Sequence, residues 1–147
     1  MQMERTLPTA REQFVAAIAR DTHAVEQPRL VAVLDALIAW SNKHPTLLKF
    51  REEEDTPGTI AFERVGTKMI VWAASPRRQD VPRLELVPKA SKSISPENRE
   101  KLVNTLNAHM REPLLPDEKL RIGFSALKNA AALSAIQTAV EQVIQTA

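Results

Sequence analysis

The chain has 147 residues, 44% hydrophobic and 26% charged, which excludes disorder and gives one core rather than two. It contains no cysteine, which excludes disulfides and thiolate zinc sites and points to the reducing cytoplasm of a prokaryote. A net charge of +2 is small for this length, so the distribution of charge carries more information than its sum.

In chain order, the first eight residues hold no apolar run, so no secretory leader is expected, and 1–8 is the stretch expected to be disordered if any is. Thr9 with Glu12 three residues on forms a capping-box pattern, and Phe14, Val15 and Ile18 follow at helical spacing. This helix should fray around Asp21 to His23. Pro28 suits the first turn of a second helix, where no amide hydrogen is needed. Leu30, Leu34, Leu37 and Ile38 give that helix its apolar face, and Pro45 predicts its end by His44.

The period then changes from helical to two. Leu47 to Arg51 predicts a short strand, and Pro57-Gly58 a turn. Thr59 to Arg64 alternates, with Ile60 and Phe62 on one side and Thr59, Ala61 and Glu63 on the other. Lys68 to Ala74 pairs with it as a hairpin turning near Val65-Gly66-Thr67. A loop from Ser75 to Asp80 leads to a strand from Arg83 to Val87, bracketed by Pro82 and Pro88 as an edge strand or a short strand would be. Ser95-Pro96-Glu97 opens a third helix carrying Leu102, Val103, Leu106 and Met110. A loop follows around Pro113 and Pro116. Leu120, Ile122 and Phe124 alternate as a strand, and a last helix begins near Ser125 or Asn129 with Leu133, Ile136, Val140, Val143 and Ile144 as its stripe.

The expected fold is a two-layer α+β domain spanning 1–147: an N-terminal helix pair, an antiparallel β-meander of three to four strands, then helix-strand-helix. No apolar stretch is long enough to span a bilayer, so no membrane partner is expected.

Charge concentrates in one place. Between residues 56 and 92 lie seven cations (Arg64, Lys68, Arg77, Arg78, Arg83, Lys89 and Lys92) against three anions, Glu63, Asp80 and Glu85. Arg77, Arg78, Arg83, Lys89 and Lys92 are therefore the candidate anion-binding or nucleic-acid-binding residues, because guanidinium groups bind oxyanions bidentately. Trp72 joins them as a candidate for stacking on a base. The bland alternative is a solvated loop beside a core tryptophan.

Other chemistry finds little support. The acidic run Glu52-Glu53-Glu54-Asp55 lacks the ligand alternation and the glycine of a calcium loop, and reads as a solvated turn. His23, His44 and His109 have no metal-ligand spacing. Around Glu85 the metal-dependent nuclease pattern fails, since Val87 stands where a lysine is needed. The glycines at 58, 66 and 123 form no phosphate loop, and no serine lies in a nucleophile elbow. Neither cofactor nor metal nor catalytic residue is assigned.

The leading expectation is a non-enzymatic binding module offering a basic loop and sheet edge to nucleic acid or to an acidic protein. One alternative is a small hydrolase-like enzyme whose groups, such as Glu85, His109 and the acidic run, converge only in three dimensions. A second alternative uses the C-terminal helix, which has only Lys128 and Glu141 as charges after Ile122, as a homo-oligomer contact.

Overall fold

The computed structural model of the protein describes residues 6–51, 59–66, 70–77, 80–86, 95–109 and 120–146, with Leu86 and the last five as backbone only. Among these residues there are five helices and five strands. Helix α1 is Leu7–Asp21 and α2 is Gln27–Asn42. Strands β1 (Leu48–Phe50), β2 (Ile60–Arg64), β3 (Ile70–Arg77) and β4 (Asp80–Leu86) follow. Then come α3 (Pro96–Asn107), β5 (Leu120–Gly123), the single turn α4 (Phe124–Leu127) and α5 (Ala130–Thr146). The strands form one sheet in the order β1-β2-β3-β4-β5, with every neighbouring pair antiparallel. The expected α+β class and element order hold.

Local chemistry sets the helix ends. The first helix starts earlier than the Thr9 capping box predicts: Thr6 is the cap, its hydroxyl accepting from the Thr9 amide at 3.3 Å, and Pro8 sits in the first turn. Residues 6–8 thus belong to the fold, and 1–5 lie outside the described residues. Pro28 opens α2 as expected, and Ser95 caps α3 by accepting from the Asn98 amide at 3.3 Å. The expected C-terminal helix is two helices. Asn129 interrupts it and caps α5, its Oδ1 accepting from the amides of Ala131 (2.9 Å) and Ala132 (3.3 Å).

The sheet departs from expectation at its prolines. Strand β3 does not stop at Ala74 but runs through Ser75-Pro76 to Arg77, and β4 begins at Asp80 rather than Arg83. Ser75 pairs with Arg83 and Arg77 with Asp80, so Pro76 faces the two residues Val81 and Pro82. Prolines on both strands meet where the ladder is interrupted and no amide hydrogen is required of them. The Val81 amide donates instead to Asp80 Oδ1 at 2.7 Å. Strand β4 is therefore an interior strand between β3 and β5, not an edge. The β2–β3 connection passes through Gly66 at φ +86°, the left-handed conformation that glycine takes without steric cost. The predicted Pro57-Gly58 turn, Lys68, Val87, Pro88, Met110 and the loop around Pro113 and Pro116 lie outside the described residues.

Most of the buried residues form one cluster that joins all five described helices to the inward side of the sheet, while Ala61 (5% exposed) and Glu63 (8%) are buried on its outer side. From α1 come Ala10, Phe14 and Ile18, from α2 Leu30, Leu34 and Leu37, and from α3 Leu102, Val103 and Leu106. Leu48, Ile60, Phe62, Trp72, Ala74, Leu84, Leu120 and Ile122 supply the sheet side. A register shift after Phe62 lets Val71 be buried beside Trp72. Phe62 stacks on Trp72 with ring centroids 5.1 Å apart, and Phe50 meets Phe62 edge-on at 6.1 Å. The Trp72 indole donates to the Ser41 hydroxyl at 2.9 Å, and both residues are buried. That bond fastens α2 to the centre of the sheet. None of the described helices is long and apolar enough to cross a membrane.

Candidate interaction surface on the outer sheet face

The alternation that sends Ile60, Phe62, Trp72, Leu84 and Ile122 inward sends their neighbours to the other side of the sheet. Register then sorts those neighbours into rows. Arg51, whose amide donates to the Ala61 carbonyl at 2.9 Å, starts a row that runs through Ala61, Ala73, Glu85 and Arg121. The next row is Thr59, Ser75, Arg83 and Gly123, in which the Thr59 and Ser75 hydroxyl oxygens are 3.1 Å apart. Lys49 lies opposite Glu63, and Arg77 stands at the end of the β3–β4 hairpin. The middle of this face is small, with Ala61, Ala73 and Ser75, while its charged residues lie around them.

Most of those charges are paired. Lys49 reaches Glu63 at 3.6 Å, Arg121 reaches Glu85 at 3.8 Å and Arg77 reaches Asp80 at 3.3 Å. Arg83 differs: among the described residues no ion pair or side-chain hydrogen bond engages it, and it is half-buried. Five described cations (Lys49, Arg51, Arg77, Arg83 and Arg121) thus share the face and its hairpin end with three acids, Glu63, Asp80 and Glu85.

The residues expected to form a basic patch are divided by this geometry. Arg83 lies on the outer face and Arg77 at its hairpin end. Trp72 is 1% exposed, on the opposite side of the sheet, with its ring against Phe62 and its N–H given to Ser41, so it has no surface on which a base can stack. Arg78, Lys89 and Lys92 lie outside the described residues, as does the acidic run 52–55. Sequence reasoning missed Lys49, Arg121 and the Thr59–Ser75 pair. Their signal was present in the alternation, because a residue between two core positions of a strand must face the other way. What sequence lacked was strand order, which brings Arg121 beside β4 from across a helical insertion.

Elsewhere the described residues line further recesses. One of about 370 Å³ lies between the end of α1 and the hairpin, lined by Arg20, Asp21, Thr22, His23, Glu26, Asp80 and Val81. A second, of about 380 Å³, lies among α2, α4 and α5 and is mainly apolar, with Arg29 and Lys128 at its rim. Lys128 binds Glu26 at 2.6 Å, and this hydrogen bond and charge hold the Glu26 carboxyl below its ordinary pKa. A third, of about 400 Å³, runs between α3 and α5 over small side chains. Helix α5 contributes Ala132, Ile136, Ala139 and Val140 to the chain's own core, so this part of its apolar stripe is used within the molecule.

Among the described residues no three His, Asp or Glu side chains converge as a metal would require. His44 packs edge-on against Trp40 at 5.1 Å, His23 lines the first recess, and His109 is exposed just beyond α3. Glu85 is engaged by Arg121. Compared with protein-family models, with curated proteins and with solved structures, the chain matches none.

Proposed function

We propose that this protein is a non-enzymatic interaction module that receives an acidic protein segment on the outer face of its sheet. The observation that carries the reading is one-sidedness. All five described helices join one core with the inward side of the sheet, and among the described residues Arg83, which stands with the cations of the other side, has no ion-pair partner. An acidic segment suits this face better than nucleic acid does for two reasons. The described outer face has no aromatic residue for a base to stack on, since Trp72 and the phenylalanines belong to the core. Its cations also alternate with Glu63 and Glu85, whereas a phosphate backbone is tracked by a run of unpaired Lys and Arg. A partner that places a few carboxylates among fixed acids matches an interleaved pattern.

The test is a titration of isotope-labelled protein with an oligoglutamate peptide, a single-stranded oligonucleotide and a DNA duplex, each followed by amide NMR at two salt concentrations. The expected result is that the peptide shifts the amides of Lys49, Ala73, Arg83 and Arg121, and that salt weakens the effect. Shifts on these amides from nucleic acid but not from peptide would replace the acidic protein with nucleic acid as the partner. Shifts confined to the helices would overturn the assignment of the face.

A further inference from the structure

Arg83 is surrounded in a way that the other outer-face cations are not. Its partner directly across β3 is Ser75, whose hydroxyl oxygen lies 3.1 Å from that of Thr59. Side chains directly opposite on antiparallel strands have Cβ atoms roughly 4.5–5.5 Å apart, so the Ser75 hydroxyl and the Arg83 side chain share one site. Two hydroxyls joined by one hydrogen bond use one of their two protons. The second proton is left to donate elsewhere.

Two residues along β4, Glu85 is drawn toward β5 by Arg121 at 3.8 Å. Two residues along β3 on one side, Ala73 offers only a methyl group. On the other, Arg77 adds positive charge, moderated by Asp80 at 3.3 Å. The site therefore offers a half-buried guanidinium fork, unpaired among the described residues, and at least one hydroxyl donor beside it. A carboxylate has two oxygens, and the fork alone satisfies both. A phosphate monoester carries about −1.5 to −2 charge and three acceptor oxygens, and it uses the hydroxyl as well.

We infer that the Thr59–Ser75–Arg83 row is a seat for a phosphate monoester, carried as phosphoserine or phosphothreonine on the acidic segment. This rests on the proposed use of the outer face and adds what anchors the segment there.

The experiment measures the affinity of the full chain for three probes by calorimetry and amide shifts. They are a phosphoserine peptide flanked by glutamates, the same peptide unphosphorylated, and inorganic phosphate. The expected result is that phosphorylation tightens binding by roughly tenfold or more, the usual worth of a hydrogen-bonded charge pair. Arg83→Gln removes that advantage. Arg83→Lys, which keeps the charge but not the fork, removes most of it. Ser75→Ala reduces it severalfold, while Arg121→Gln weakens both peptides and preserves their ratio. The near-UV signal of buried Trp72 confirms that each variant is folded.

A phosphorylation ratio near one, or a ratio that survives Arg83→Gln, overturns the seat. If the unphosphorylated peptide still binds the outer face in that case, the proposed function stands without it. If neither peptide binds but inorganic phosphate shifts Ser75 and Arg83 in an Arg83-dependent manner, the seat stands for the free anion, and both the polypeptide source and the acidic-segment reading fail.

Discussion

The inner and outer faces of the sheet are built from alternate residues of the same strands, yet they are held by different physics. Inward go Phe62, Trp72, Leu84 and Ile122, each at most 1% exposed, with their one polar atom, the Trp72 indole nitrogen, bonded to Ser41. Outward go Arg83 and the pairs Lys49–Glu63 and Arg121–Glu85, at 3.6 and 3.8 Å, with the Thr59–Ser75 hydroxyl contact. The inner face gains from apolar area removed from water and from packing at fixed distances. The outer face gains little from any pair, because its charges remain partly hydrated and screened. Stability thus belongs to the inner side and the proposed recognition to the outer side of one element, and substitutions one residue apart should report on different properties.

The largest effect should come from breaking the inner face. Trp72→Ala removes the biggest buried side chain and its stack on Phe62, at an expected cost of about 3–5 kcal/mol in urea unfolding. The adjacent outer-face change, Ala73→Ser, and Arg83→Gln should each stay within about 0.5 kcal/mol. Similar losses on both faces would mean that the outer face is also structural.

Ser41→Ala sharpens the same comparison with a single atom. It leaves the Trp72 N–H buried without its acceptor, and about 1–3 kcal/mol should be lost. Placed in a Trp72→Phe background, where no donor remains, Ser41→Ala should cost much less. Equal costs in the two backgrounds would show that the hydroxyl acts through something other than the indole.

How much of this was legible beforehand follows from the range of each signal. The helix starts at Pro28 and Ser95 and the inward set Ile60, Phe62, Leu84 and Leu120 were legible, because capping and alternation act within a few residues. Pro76 and Pro82 misled in a specific way. Each alone signals a break, and only register reveals that they face one another across an interrupted ladder. Trp72 was ambiguous for a similar reason. An amphipathic ring next to Arg77 and Arg78 in sequence fits a surface site, and what decides its place is Ser41, 31 residues away. The candidate site was only half legible. Arg77 and Arg83 stand in the basic segment, but Lys49 and Arg121 reach the same face through strand order, which no local pattern encodes.

Away from the sheet, the Glu26–Lys128 pair gives a pH-dependent contrast. Lys128 holds the Glu26 carboxyl below its ordinary value of 4.5, first through the hydrogen bond at 2.6 Å and then through its charge. A carboxyl depressed in the folded state contributes stability above its unfolded value and loses it as pH falls through the folded one. The unfolding midpoint should therefore fall on acidification below 4.5, and Lys128→Met should flatten that part of the profile. An identical profile in the variant would assign the acid sensitivity to other carboxylates.

The smallest effects should come from the outer-face ion pairs. Lys49–Glu63 and Arg121–Glu85 are long, at 3.6 and 3.8 Å, and Lys49 and Arg121 keep 55% and 43% of their side-chain surface exposed. Such pairs contribute about 0–1 kcal/mol, so Arg121→Met should shift the unfolding free energy by less than about 0.5 kcal/mol. Lys49→Met should cost somewhat more, because Glu63 keeps only 11% of its side chain exposed and has less water to replace its partner. The weakness of these pairs is itself relevant to binding. A cation that leaves its acid at little cost is free to meet an incoming carboxylate or phosphate, whereas a tight pair would have to be broken first. If Arg121→Met instead proves strongly destabilising, Arg121 is committed to Glu85 and is not available to a partner, and Arg83 becomes the principal anchor of the face.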